Sequence, residues 1–121
     1  MEVRACYEEM GSNFDEVLSR LGSEQMVQRF AIKFLNDKSY ETLEAALKEK
    51  DVDSAFRAAH TLKGVCVNLG FDKLYEVSSA LTEKLRAKEL DGTDVMFEKV
   101  KEQYDITVNA IRKRKMLIKV L

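Results

Sequence analysis

The stretch AFRAAHTLKGVCVNLGF, residues 55–71, carries the chain's only histidine, His60, with Lys63 and Gly64 following on the same run. On a helical wheel at about 100° per residue with His60 at zero, Ala58, Leu62 and Leu69 fall near 160°, 200° and 180°. Ala55, Val65 and Cys66 lie close to them. Apolar residues at this spacing predict a helix with one face packed against neighbours. His60 stands opposite that stripe, so the spacing predicts an imidazole facing solvent in the middle of a packed helix.

Helical spacing continues on both sides. Phe14, Val17, Leu18 and Leu21 mark a short first helix that stops at Gly22. Ser23 caps the next, with Val27, Phe30, Ala31 and Phe34 on one face. Ser39 is expected to cap a third, carrying Leu43, Ala46 and Leu47. After the polar break KEKDVD, Asp51 or Asp53 caps the helix that runs to about Leu69 and ends at Gly70. Asp72 starts another, whose core line is Leu74, Val77, Ser78, Leu81 and Leu85. The turn KELDGTD precedes a last helix marked by Phe97, Val100, Tyr104, Val108 and Ile111.

No segment alternates with period two. Proline is absent, glycine numbers only 5, and Glu, Lys, Leu and Ala abound, which favours helix throughout. The expected fold is all-α: an antiparallel four-helix bundle with additional short N-terminal helices, as one domain over residues 1–121.

Composition narrows the function classes. A formal net charge of −1 argues against wrapping around nucleic acid. No apolar run approaches the roughly 20 residues that span a bilayer, and MEVRACYEEM lacks the order of a secretory signal. Two cysteines, Cys6 and Cys66, do not make a disulfide framework, so the expected location is cytoplasmic with reduced thiols. Cys66 falls on the buried stripe and reads as a core residue. The tail IRKRKMLIKVL reads as a helix end whose cations suit the helix dipole rather than as a membrane or nucleic-acid anchor.

The outward face of residues 55–71 holds more than the histidine. Phe56 and Val67 lie near −40° and −20° on the same wheel at about 100° per residue, and a pair of outward apolar groups beside an imidazole suggests a docking surface. Asp53 lies there too and reads as a charge near the helix N-terminus. Gly64 costs about 1 kcal/mol relative to alanine inside a helix, and its missing side chain leaves one edge of the imidazole open. Lys63, at i+3, brings an ammonium within reach of any anionic group on the imidazole. A neutral imidazole is a competent nucleophile near neutral pH. One histidine without a second ligand builds no metal site, and no glycine-rich nucleotide loop is present.

AHTLKGVCVNLG resembles the signature of histidine-containing phosphotransfer (HPt) domains, a His-x-x-Lys-Gly core followed by small residues and a second glycine. His60, Lys63, Gly64 and Gly70 fall on those positions, with Leu62 and Asn68-Leu69-Gly70 supporting the match. The resemblance implies a phosphorelay carrier that accepts a phosphoryl group on the histidine Nε2 from one receiver-domain aspartate and passes it to another. It implies that the lysine contacts the phosphoryl group and that Mg²⁺ is supplied by the receiver, with no cofactor of the domain's own. Implied partners are receiver domains and a sensor or hybrid histidine kinase, with a monomeric, free-standing shuttle expected. Val65, Cys66 and Val67 depart from the smaller Ser or Ala of many members, which bears on partner choice. The competing reading is an adaptor bundle that binds a receiver or kinase domain without taking phosphate, and it leaves His60 dispensable.

Overall fold

The computed structural model describes residues 3–120, with side chains through Arg114. Seven α-helices follow in order: α1 (Val3–Met10), α2 (Phe14–Leu21), α3 (Glu24–Lys33), α4 (Ser39–Lys48), α5 (Val52–Leu69), α6 (Asp72–Arg86) and α7 (Thr93–Val120). A single 3-10 turn, Phe34–Asn36, joins α3 to α4. Among the described residues there is no strand.

Helices α4 to α7 form the antiparallel bundle, with α5 packed between α4 and α6 and α7 against α6. The fourth side, between α7 and α4, closes through aromatic rings. Tyr40 of α4 stacks on Tyr104 at 3.9 Å and on Phe97 at 5.4 Å, both from α7. Leu43, Leu62, Leu74, Leu81, Leu85, Val100 and Ile111 are fully buried between these helices. Each such side chain contributes about 1.5–3 kcal/mol relative to exposure.

The three N-terminal helices pack on this bundle, α1 chiefly against α7. The sequence reading began its helices at Phe14 and missed α1. Val3, Cys6, Tyr7 and Met10 are its buried face, at helical spacing, but no capping residue announces it and Arg4, Glu8 and Glu9 make it look like a polar leader. Tyr7 does more than fill space. Its hydroxyl donates to the Leu69 carbonyl at 2.5 Å, so α1 holds the last turn of α5, and burial pushes the phenol well above its ordinary range. From α7, Lys113 and Arg114 reach Glu9 at 3.0 and 3.7 Å. The described part of the basic tail thus ties α7 to α1. The remainder, residues 115–121, lies outside the described side chains.

The predicted punctuation holds with one correction. Ser23 and Asp51 cap α3 and α5 through their side chains as expected, and Asn13, which the spacing did not single out, caps α2 in the same way. Of the two candidates at the start of α5, Asp51 is the cap, whereas Asp53 lies in the first turn and pairs with Lys88 at 2.9 Å. Ser39 does not cap α4. It is already helical, and its N–H donates to Asp37 Oδ1 at 2.9 Å, so Asp37 anchors the entry instead. Val77 is only half-buried, because the buried line of α6 runs through Leu74, Ser78, Leu81, Thr82 and Leu85 and leaves it at the rim.

Gly70 ends α5 in the left-handed region, φ 72°, with its N–H and that of Phe71 returning to carbonyls of the last turn. A Cβ there would stand 3.1 Å from that of Val17 as well as straining the backbone. The reversal aims α6 back along α5 and sets the register between the two.

The Asp51 cap carries a pH signature. The Ser54 hydroxyl and N–H donate to the carboxylate at 2.7 and 3.1 Å and hold its pKa below the ordinary 3.8. A lowered folded-state pKa adds stability above the unfolded value, and that stability is lost as pH falls through the folded one. Asp51→Ala is therefore expected to lower the melting temperature at neutral pH and to lower it much less well below pH 3.8. Thermal melts followed by circular dichroism across that range check this.

Candidate functional site

Six residues of α5, Ala55, Ala58, Ala59, Leu62, Cys66 and Leu69, are buried against the neighbouring helices. Four of them are Ala or Cys, whose small side chains let α4 and α6 approach closely on either side. That burial fixes the rotation of the helix about its axis, and it leaves His60 exposed as the spacing predicts. Cys66 is a core residue. Burial raises its thiol pKa and pushes that of Cys6 up to about 12, so both remain neutral thiols at physiological pH.

The surroundings of His60 differ on its two flanks. On one flank, an added Cβ on Gly64 would meet nothing within 4 Å, so the approach past that position is open. Val67 is 44% exposed, as the wheel predicts. Toward α6 the face is furnished. The Phe56 ring lies beside the imidazole, with centroids 5.8 Å apart and planes inclined by 18°. The guanidinium of Arg86 covers Phe56, its central carbon 4.9 Å from the ring centroid. Phe56 is consequently half-buried rather than turned to water, because Arg86 crosses from α6 and shields it. It is positioned to orient the imidazole as well as to present an apolar edge.

Lys63 also differs from a freely solvated lysine. Its side chain is only 24% exposed, and Nζ lies 3.8 Å from Glu83 Oε2 on α6. Arg86 grips the same carboxylate with both arms, Nε to Oε1 at 3.1 Å and a terminal nitrogen to Oε2 at 3.3 Å. The Arg86 hydrogen bonds, with smaller help from the charges of Arg86, Lys63 and His60, hold Glu83 below the usual carboxylate range. The candidate site thus groups Phe56, His60 and Lys63 from α5 with Glu83 and Arg86 from α6.

Sequence reasoning missed Glu83 and Arg86. Their i,i+3 spacing within α6 was visible, but nothing local says which α6 residues lie opposite His60 and Lys63. That depends on where Gly70 turns the chain. Asp53 was weighed beside His60 on the wheel, and the structure engages it with Lys88.

Chemically, the arrangement offers an imidazole nitrogen with open access and a cation one turn along the same helix. A group attached to that nitrogen would lie within reach of an ammonium at i+3. No group of three potential metal ligands occurs among the described residues, and no described helix is long and apolar enough to cross a membrane.

Residues 35–112 match the family model described as Hpt domain, a span that runs from the 3-10 turn into α7 and covers well over half the chain. His60, Lys63, Gly64 and Gly70 all fall inside it, whereas α1 to α3 lie outside. No curated protein and no solved structure matches the chain.

The open space at Gly64 makes a sharp thermodynamic prediction. Gly64→Ala adds a methyl group to a helical site without collision, so it should stabilise the fold by up to about 1 kcal/mol. Chemical denaturation checks this. Destabilisation would mean that the glycine serves helix packing instead.

Proposed function

We propose, for a chain that belongs to the Hpt domain family, that His60 is the residue that carries the phosphoryl group. Membership brings a phosphotransfer role in two-component signalling, in which Hpt domains interact with receiver and kinase domains. The finer reading rests on one observation above the others: the only histidine of the chain is exposed on the matched helix, beside a glycine with open space around it.

In the proposed step, a receiver domain carrying an aspartyl phosphate docks over the exposed face of α5, with Val67 and the edge of Phe56 as apolar contacts. The Nε2 lone pair attacks phosphorus in line with the acyl oxygen. The N–P bond forms as the O–P bond breaks, and the electron pair leaves with the aspartate carboxylate. Nδ1 keeps its proton, and the imidazole becomes cationic. Lys63 offsets the charge of the arriving phosphoryl group, and Gly64 leaves room for the receiver's approach. Little else is asked of this chain, since phosphoryl transfer depends mainly on positioning and charge. Mg²⁺ would be held by the receiver. The reverse step, to a second receiver aspartate, uses the same geometry.

The test is incubation with phosphorylated receiver domains in Mg²⁺. Wild type is expected to acquire an acid-labile, base-stable phosphate and His60→Gln none, while Gly64→Leu remains folded and takes up little. Lys63→Ala is expected to fold normally and to show weaker uptake or a shorter-lived phosphohistidine. Equal uptake by wild type and His60→Gln would overturn the reading. Receiver binding without any phosphate on the wild type would support an adaptor instead.

A further inference from the structure

We propose that Glu83 is a positioning residue that acts through Lys63, holding the ammonium in the resting protein and competing for it once His60 is phosphorylated. The inference rests on the reading of His60 as the acceptor. It concerns a residue on a different helix from the phosphotransfer signature, and three observations carry it.

First, Lys63 is committed before any phosphate arrives. Its side chain is mostly covered, and its Nζ lies 3.8 Å from Glu83 Oε2. Second, Glu83 stays charged. Arg86 binds both carboxylate oxygens at 3.1 and 3.3 Å, and those hydrogen bonds keep the group ionised whether or not Lys63 is in place. Third, Glu83 and the imidazole share one face, since the Arg86 guanidinium that binds the carboxylate also lies 4.9 Å from the centroid of the Phe56 ring stacked beside His60. A phosphoryl group on His60 would therefore enter a face where the nearest ammonium already shares one carboxylate with Arg86.

The consequences follow from charge counting. A phosphoryl group on nitrogen brings up to two negative charges into the reach of Lys63, and the carboxylate brings one. The ammonium turns toward the phosphoryl oxygens and gives up its contact with Glu83, while Arg86 remains as the partner of the carboxylate. The lost Lys63–Glu83 contact is an opposing contribution present only in the phosphorylated state. It shifts the transfer equilibrium back toward the receiver aspartate and keeps the phosphohistidine a transient. The N–P and O–P bonds formed and broken are those of the transfer already described, so Glu83 adds no chemical step and needs no further reactant.

The experiment is a double-mutant cycle on the transfer equilibrium, measured with one phosphorylated receiver domain in Mg²⁺ and scored as acid-labile phosphate on the chain. Glu83→Gln keeps the shape and removes the charge, and it is expected to raise the equilibrium constant for phosphorylation of the chain about 1.4- to fivefold, the range for an exposed ion pair. In the Lys63→Ala background the same substitution is expected to leave the constant unchanged, which a merely structural role would not produce. Melting curves of all four proteins control for folding. A Glu83→Gln constant equal to or below wild type would overturn the inference, and so would an equal rise in both backgrounds, which would place the carboxylate's effect directly on the phosphoryl group. In either case normal uptake by the wild type leaves the reading of His60 standing. Uptake by His60→Gln equal to wild type would instead remove the acceptor and the inference together.

Discussion

Burial of the small-residue stripe of α5 between α4 and α6 is the constraint on which the rest depends. Ala55, Ala58, Ala59, Leu62, Cys66 and Leu69 leave the helix one orientation that covers them all. A rotation of one residue position, about 100°, would carry part of that stripe into water and the histidine toward the interior. The exposure of His60 is thus a consequence of core packing rather than of any local preference of the imidazole. The Asp51 cap, the left-handed Gly70 and the Tyr7 hydroxyl on the Leu69 carbonyl fix the two ends of the same helix.

The two flanks of the exposed face serve different ends. On one side Gly64 keeps the surface bare. On the other, α6 lays Arg86 over Phe56 and sets Glu83 against Lys63, so the ring and the ammonium beside the histidine are both engaged by the neighbouring helix. A carrier has to accept and release its cargo with comparable ease. A site whose cation already has a partner fits that requirement better than one with an unopposed positive charge.

Much of this was legible in the sequence because helical periodicity reports burial directly. The outward angle of His60, the stop at Gly70 and the core position of Cys66 each follow from spacing within one helix. The failures have a common physical form. Phe56 was read as facing water because a wheel ignores what a neighbouring helix lays across it, and the partner of Lys63 on α6 escaped notice for the same reason. Glu83 and Arg86 went unseen because inter-helix register is set by the turn and the packing, which no single-helix pattern encodes. Helix α1 was missed because its four buried residues sit among charges without a capping signal, and its stability comes from docking on α7. Ser39 misled because a serine near a helix start fits both a cap and a first-turn position, and Asp37 had the better reach.

The single histidine makes the central claim open to one direct observation. In a uniformly ¹⁵N-labelled sample, the imidazole signals all belong to His60. After addition of a phosphorylated receiver domain, the account predicts that Nε2 becomes coupled to phosphorus while Nδ1 retains its proton. Imidazole signals that stay unmodified while phosphate accumulates elsewhere on the chain would contradict it.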